Sequence, residues 1–217
     1  MLIVFEGVDG SGKSTYIKKL VQGLEDEGKR VTATRLPGGT KFGEKIRDVL
    51  FGKDVNTKTF HKSTRSLLYA ADFLQTQLDV IMPALKRKEI VISDRWCYSE
   101  LAYNYKNEDP YHKRVVETYL SLEMVKPDII FFLTTSIEKI LERLYVRNQI
   151  DGKQNGKVWN SAEKLTEIQN NYISIFGDEK GYLVNGGIVI KKYDTSEDHT
   201  IELWKSMLEV VLNVRSI

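Results

Sequence analysis

The chain has little that would staple or anchor it. It carries one cysteine, Cys97, in 217 residues, so an internal disulfide is impossible and a reducing compartment is expected. Its longest apolar runs, such as Ile129 to Leu133, fall far short of the ~20 residues a helix needs to span a bilayer. Met1 leads straight into an apolar strand with no basic segment, h-region or cleavage site ahead of it, which sets the expectation of a cytoplasmic protein. Neither sign of charge dominates: 32 Lys and Arg face 30 Asp and Glu, net +2, which speaks against both a nucleic-acid coat and a membrane binder. There is no internal repeat, low-complexity tract or interdomain linker. No Asn is followed by Lys, so the Asn-Lys-x-Asp element with which GTPases read guanine is missing.

What is present is an alternation of strands and helices. Five β-rich runs stand out: Leu2–Phe5, Val31–Thr34, Ile90–Ser93, Asp128–Thr134 and Ile188–Ile190. The first, third and fourth are nearly continuous Ile, Val and Phe, the composition of strands covered on both faces. Between them lie helical repeats: Ile17, Leu20, Val21 and Leu24; Ile137, Ile140, Leu141 and Leu144; and a closing helix with Ile201, Trp204, Leu208, Val211 and Leu212. The pattern predicts one α/β domain over 1–217, a doubly wound, five-stranded parallel sheet flanked by helices on both faces. The polar stretch from Asn148 to Ser161, with Gly152 and Gly156 and no helical period, is either a surface loop or a mobile lid.

The densest chemical signal is Gly7-Val8-Asp9-Gly10-Ser11-Gly12-Lys13-Ser14-Thr15. It matches the G-x-x-x-x-G-K-S phosphate loop in full and sits between an apolar strand and an amphipathic helix. Glycines let backbone N–H groups converge on phosphate oxygens at a helix N-terminus. Lys13 would reach the outer phosphates, and the Ser14 hydroxyl would ligate Mg²⁺ with Thr15 beside it. The loop alone leaves open a small-molecule kinase and a non-catalytic nucleotide-binding regulator. Two features ask for explanation: an aspartate, Asp9, among phosphate ligands, and no cation in the loop except Lys13.

Four further stretches follow in order: "RLPGGT" (Arg35–Thr40), "LLYAAD" (Leu67–Asp72), "DRWCYSELAY" (Asp94–Tyr103) and "ERLYVRNQID" (Glu142–Asp151). With the phosphate loop they resemble the thymidylate kinase family, from the first strand to about Tyr172. The resemblance implies a P-loop NTPase fold with a short lid at about 143–161. It implies transfer of the γ-phosphoryl group of ATP to thymidine monophosphate, Mg²⁺ as cofactor, and a homodimer. It gives Asp9 the 3′-hydroxyl of the acceptor sugar, Asp94 the orientation of Mg²⁺ through water, and Arg95 the acceptor 5′-phosphate. A guanidinium suits that last task because it forks onto phosphate oxygens. Tyr103 would lie under the deoxyribose, and Arg35, Pro37, Gly38 and Gly39 would form the acceptor-side turn. The missing loop cation places the chain with members that supply an arginine from the lid. Arg147 is then the expected catalytic cation, with Arg143 beside it four residues earlier on one helical face.

The chain departs from the family at three places. Leu36 stands where a Glu is usual, Asp151-Gly152 where the lid often has Asp-Arg, and Phe73 where an arginine donates to the thymine carbonyl. Lys153 and Lys157 are candidate replacements in the lid. Tyr69, Phe73 and Gln77 share a helical face, so Tyr69 is expected to stack on the base and Gln77 to donate one turn deeper, with Glu100 as an acceptor. A relaxed or altered base preference, a deoxynucleoside kinase and a regulator without turnover are the alternatives to an ordinary thymidylate kinase.

Overall fold

The structure is a computed structural model that describes residues 1–52, 60–104, 114–115, 117–118, 121–150, 161–176, 187–197 and 199–214. Five strands form one sheet: β1 (Leu2–Glu6), β2 (Val31–Arg35), β3 (Ile90–Asp94), β4 (Ile129–Thr134) and β5 (Val189–Asp194). All pair in parallel, in the order β2-β3-β1-β4-β5. Parallel neighbours require crossovers, and helices supply them: α1 (Lys13–Asp26), α2 (Lys41–Phe51), α3 (Lys62–Thr76), α4 (Met82–Lys86), α5 (Cys97–Asn104), α6 (Ile137–Ile150), α7 (Ala162–Phe176) and α8 (Thr200–Val214). A π segment, Gln77–Ile81, joins α3 to α4. It lies directly upstream of Pro83, which has no N–H to return to the preceding turn.

Both faces of the sheet are covered, as the unbroken apolar runs predict. Ile3, Phe5, Ile90, Ile92, Phe131 and Leu133 pack against Tyr16, Ile17, Leu20 and Leu24 of α1 and Met207 and Val211 of α8. Their strand neighbours Leu2, Val4, Val91, Ile130 and Phe132 pack the other way, on Ile81, Ile140, Leu144, Leu165, Ile168 and Tyr172. β5 runs to Asp194, beyond the Ile188–Ile190 expected from composition. It is an edge strand, and its ladder with β4 carries Lys191 and Lys192 as exposed residues. β1, β2 and β3 each extend one residue past their apolar runs, to Glu6, Arg35 and Asp94. All three ends lie at the carboxyl edge of the sheet, around the central strand β1, where doubly wound folds bind ligands.

Candidate active site

The phosphate loop leaves β1 at Gly7 and enters α1 at Lys13. Gly7 has φ 141°, and a Cβ there would lie 2.4 Å from the Leu133 carbonyl oxygen. Gly10 has φ 87° and would press on Ile140 of α6 at 3.1 Å. Only glycine lets the loop run this close to β4 and α6. Lys13 is 6% exposed and donates from Nζ to the carbonyls of Gly7 (2.9 Å) and Val8 (2.8 Å). Burial, then the nearby Arg95 charge, bring its pKa down to about 8 against the pull of Asp94, Asp9 and Glu6.

Asp94 ends β3 beside the loop. The Ser14 hydroxyl donates to its Oδ2 at 3.4 Å, while Oδ1 is buried with no hydrogen-bond partner. A carboxylate oxygen in that state next to a hydroxyl suits a hard cation that takes few protein ligands and draws the rest from phosphates and water, as Mg²⁺ does. Among the described residues no cluster of three or more acidic, His or Cys side chains offers a fuller cage. The residues therefore fit Mg²⁺ held by Ser14 and Asp94.

Arg95 follows at once, in a backbone conformation unusual for a non-glycine residue, φ 77°. That twist turns its side chain under the phosphate loop. Nη2 pairs with Asp9 Oδ1 at 2.6 Å, and Nη1 donates to the Gly7 carbonyl (3.1 Å), Ser99 Oγ (3.0 Å) and Tyr172 Oη (3.2 Å). The guanidinium also lies 5.5 Å from the centre of the Tyr103 ring. Burial works against the Asp9 charge, but Arg95, Lys13 and Arg147 outweigh it and bring the carboxyl to about 2. Half of the Asp9 side chain is exposed, so water screens the pair and its contribution to stability is small. Beneath Arg95 lies Glu6, fully buried, accepting from Trp96 N–H (2.7 Å), Ser99 Oγ (2.7 Å) and Tyr172 Oη (2.9 Å). Burial raises its carboxyl above the usual range, with the Arg95 charge opposing.

In the turn expected to face the acceptor, the Leu36–Pro37 bond is cis, and Leu36 is a core residue, 4% exposed. The Pro37 carbonyl accepts from Arg47 at 2.9 Å. Arg35 makes a forked contact to Glu44, at 2.9 and 3.0 Å. Asp72, wholly buried, accepts from Gly38 N–H at 3.2 Å and so ties the turn to α3; its other oxygen has no partner. Burial pushes its pKa up to about 6. Between about pH 4 and pH 6 the folded chain thus holds a proton that the unfolded chain has released. Folding stability is expected to fall as pH rises through that window and then level off. Thermal unfolding of Asp72→Asn should show a weaker slope there and stability at pH 7 higher by about 1–3 kcal/mol. An unchanged slope would mean that Asp72 does not titrate in this range.

The residues expected beside the base divide. Tyr69 is half-buried, and its hydroxyl pKa is raised by burial, with Arg65, Glu100 and Arg95 all near enough to act on it. Glu100 is 6% exposed, bonded to Ser66 Oγ and to Asn104 Nδ2 (3.0 Å). Phe73 belongs to the core: it is 3% exposed, with its ring 4.9 Å from that of Trp96. The Gln77 amide is committed to the backbone, donating to the Glu123 carbonyl (2.9 Å) and accepting from Val125 N–H (2.7 Å). Residues four apart do share a face here, but that face turns inward at Phe73 and Gln77.

The two arginines of α6 also divide. Arg143 donates to the carbonyl of Gly10 (3.2 Å) and to Thr195 Oγ1 (3.3 Å) and carbonyl (2.6 Å). Thr195 in turn donates to the Ser11 carbonyl at 2.9 Å. Arg143 thereby clips the phosphate loop to the end of β5. Arg147, one turn on, is exposed and helps hold down the pKa of Asp9. Both line a cavity of about 540 Å³ with Lys139, Val146, Ile150 and Ser196. Asp151, Gly152, Lys153 and Lys157, and with them most of the expected lid, lie outside the described residues.

The sequence model of the thymidylate kinase family matches residues 5–188. The chain belongs to the thymidylate kinase family. It is 36% identical over 187 residues to the thymidylate kinase of Thermosipho africanus, covering 82% of this chain and 90% of that one. It is 31% identical over 190 residues to that of Fervidobacterium nodosum, covering 86% and 90%. It is 32% identical over 179 residues to that of Acinetobacter baumannii, covering 82% and 87%.

In this thymidylate kinase family member the fold brings Asp9, Lys13, Ser14, Asp94, Arg95 and Tyr103 to one end of the sheet, with Arg147 within electrostatic reach of Asp9. Sequence reasoning missed Glu6, Ser99, Tyr172, Thr195 and Arg65. Glu6 had a signal, a charged residue closing an otherwise apolar strand, and Arg65 and Ser99 had one in the four-residue spacing that links them to Tyr69 and Arg95. Tyr172 and Thr195 are brought to the site by contacts that no local pattern encodes.

Proposed function

We infer that the chain is an ATP-dependent thymidylate kinase. It moves the γ-phosphoryl group of ATP onto the 5′-phosphate of thymidine monophosphate, giving the diphosphate. The observation that carries this reading is Arg95, anchored through Nη1 beside a phosphate loop, with Nε making no hydrogen bond among the described residues. Nη2 is held by Asp9 Oδ1, so Nε is the guanidinium donor left for a second phosphate next to the first, the demand of a monophosphate acceptor rather than a nucleoside. The loop N–H groups and Lys13 hold the donor phosphates. Ser14 and Asp94 would hold Mg²⁺, which would supply positive charge to the triphosphate. Asp9 accepts from the sugar 3′-hydroxyl, and Tyr103 packs under the sugar. Arg147 meets the charge that develops on the transferring group. An acceptor phosphate oxygen bonds to the γ-phosphorus as the bond to the β-bridging oxygen breaks, and ADP leaves. The acceptor is already ionised, so no general base is needed.

The base lies on Tyr69, between Arg65 and Glu100. Arg65 takes over the donor role that Phe73 cannot fill, and Glu100 accepts from a base N–H. A coupled assay of ADP release tests both parts of the reading. Thymidine monophosphate should turn over and thymidine should not. Arg65→Ala should lower kcat/KM for thymidine monophosphate by roughly 5- to 150-fold, the effect of leaving a base carbonyl unpaired. Turnover of nucleosides would reassign the enzyme to nucleoside phosphorylation, and an unaffected Arg65→Ala would return the base to another donor. Two chains pair through the exposed apolar strip of α3 and the π segment, Leu67, Leu74 and Leu78, which recurs at helical spacing. Sedimentation at the mass of a single 25.0 kDa chain would contradict that pairing.

A further inference from the structure

We propose that Glu6 is a positioning residue for Arg95, acting through the hydroxyls of Ser99 and Tyr172. The proposal rests on the reading that Arg95 grips the acceptor phosphate. Three donors and the Arg95 charge favour the carboxylate form of Glu6 against the burial that raises its pKa, and a carboxylate can only accept hydrogen bonds. Glu6 lies within reach of three donors: Trp96 N–H on Oε1, and the Ser99 and Tyr172 hydroxyls on Oε2. Those hydroxyls also touch each other at 2.8 Å. They hold two protons between them. Whether both go to Glu6 or one hydroxyl gives its proton to the other, neither proton points at Arg95. The oxygen lone pairs therefore face Nη1, which donates to both at 3.0 and 3.2 Å.

This buried carboxylate thus sets the direction of two hydrogen bonds it does not itself make. Nη1 is pinned by Ser99, Tyr172 and the Gly7 carbonyl and Nη2 by Asp9 Oδ1, which leaves Nε as the donor turned toward phosphate. Glu6 also fixes the backbone, because its bond to Trp96 N–H holds the peptide that follows the twisted Arg95. A guanidinium held this way loses little freedom when phosphate arrives.

Glu6→Gln is the decisive variant, since it keeps size and shape. Its amide oxygen can still accept from Trp96 N–H, but its NH₂ then occupies the Oε2 position and donates. The hydroxyl protons turn outward and oppose Nη1 donor to donor. KM for thymidine monophosphate should rise by about 10- to 100-fold, the scale of a hydrogen bond to a charged group. KM for ATP should stay within about twofold, because the phosphate loop is untouched. Adding Tyr172→Phe removes one misdirected hydroxyl and should restore part of the lost affinity, although Tyr172→Phe alone in the wild type weakens it. Purely structural damage would make the two substitutions add. Additive effects, or equal rises in both KM values, would overturn the proposal. If Glu6→Gln does not fold, Tyr172→Phe and Ser99→Ala carry the test: each should raise KM for thymidine monophosphate alone, and no change in either would overturn it. Arg95→Lys separates the two levels. If it leaves KM for thymidine monophosphate unchanged, the assignment of Arg95 fails; if it raises that KM while Glu6→Gln does not, only the role of Glu6 fails.

Discussion

Lys13→Ala is expected to lower kcat by about 10²- to 10³-fold, the loss that follows removal of one charged group aimed at a developing anion. Lys13 is buried, and its ammonium is held 2.8–2.9 Å from two loop carbonyls. It is thus positioned before any phosphate arrives, and its contribution needs no rearrangement of the loop. Burial and the neighbouring Arg95 bring its pKa to about 8, so the charge itself is conditional. The ammonium is present below that pH and lost above it. In the wild type kcat/KM for ATP should therefore decline as pH rises through about 8, and Lys13→Ala should remove that limb. The decline belongs to kcat/KM, a property of the free enzyme, because bound phosphates favour the charged form. Near-normal kcat in Lys13→Ala would dismiss the phosphate assignment.

Arg147→Ala should cost roughly 10³-fold or more in kcat, the scale of an arginine supplied to a transferring phosphoryl group. Arg147 and Arg143 share one face of α6, but their surroundings differ. Arg143 is bound to Gly10 and Thr195, so its charge serves the shape of the loop. Arg147 is exposed and already acts electrostatically on Asp9. A contact that strengthens in the transition state should leave KM for ATP nearly unchanged. Arg143→Ala should do the opposite, raising KM for ATP through a looser loop. A rise in KM for ATP with unchanged kcat in Arg147→Ala would make it a ground-state binding residue.

The parts of this site that could be read from the sequence are those whose chemistry is local. The phosphate loop is nine consecutive residues, and the strand before it and helix after it announce themselves by period. Asp94 and Arg95 could be placed because they end a run of Ile and Val, which fixes them at the mouth of β3. β1, β3 and β4 were legible because burial on both faces leaves them almost no polar position, and β5 was cut short because an edge strand tolerates Lys191 and Lys192. What could not be read depends on contacts between distant residues. Tyr172 meets Glu6 across 166 positions and Arg143 meets Gly10 across 133. The helical period put Phe73 and Gln77 on the face of Tyr69 correctly, yet it carries no information on where that face leaves the site and enters the core. Trp96 and the backbone of Glu123 and Val125 decide that. Leu36, where the resemblance led to the expectation of a Glu, is likewise a core position, and its neighbour Arg35 pairs with Glu44.

Phosphoryl transfer by this chain should end on the 5′-phosphate of a thymidine nucleotide. The most direct measurement follows a γ-labelled ATP into products with thymidine monophosphate and Mg²⁺ present. The label should appear in the β-phosphate of thymidine diphosphate, in step with ADP. Label released as inorganic phosphate, or label confined to ATP while the nucleotide binds without turnover, would contradict it.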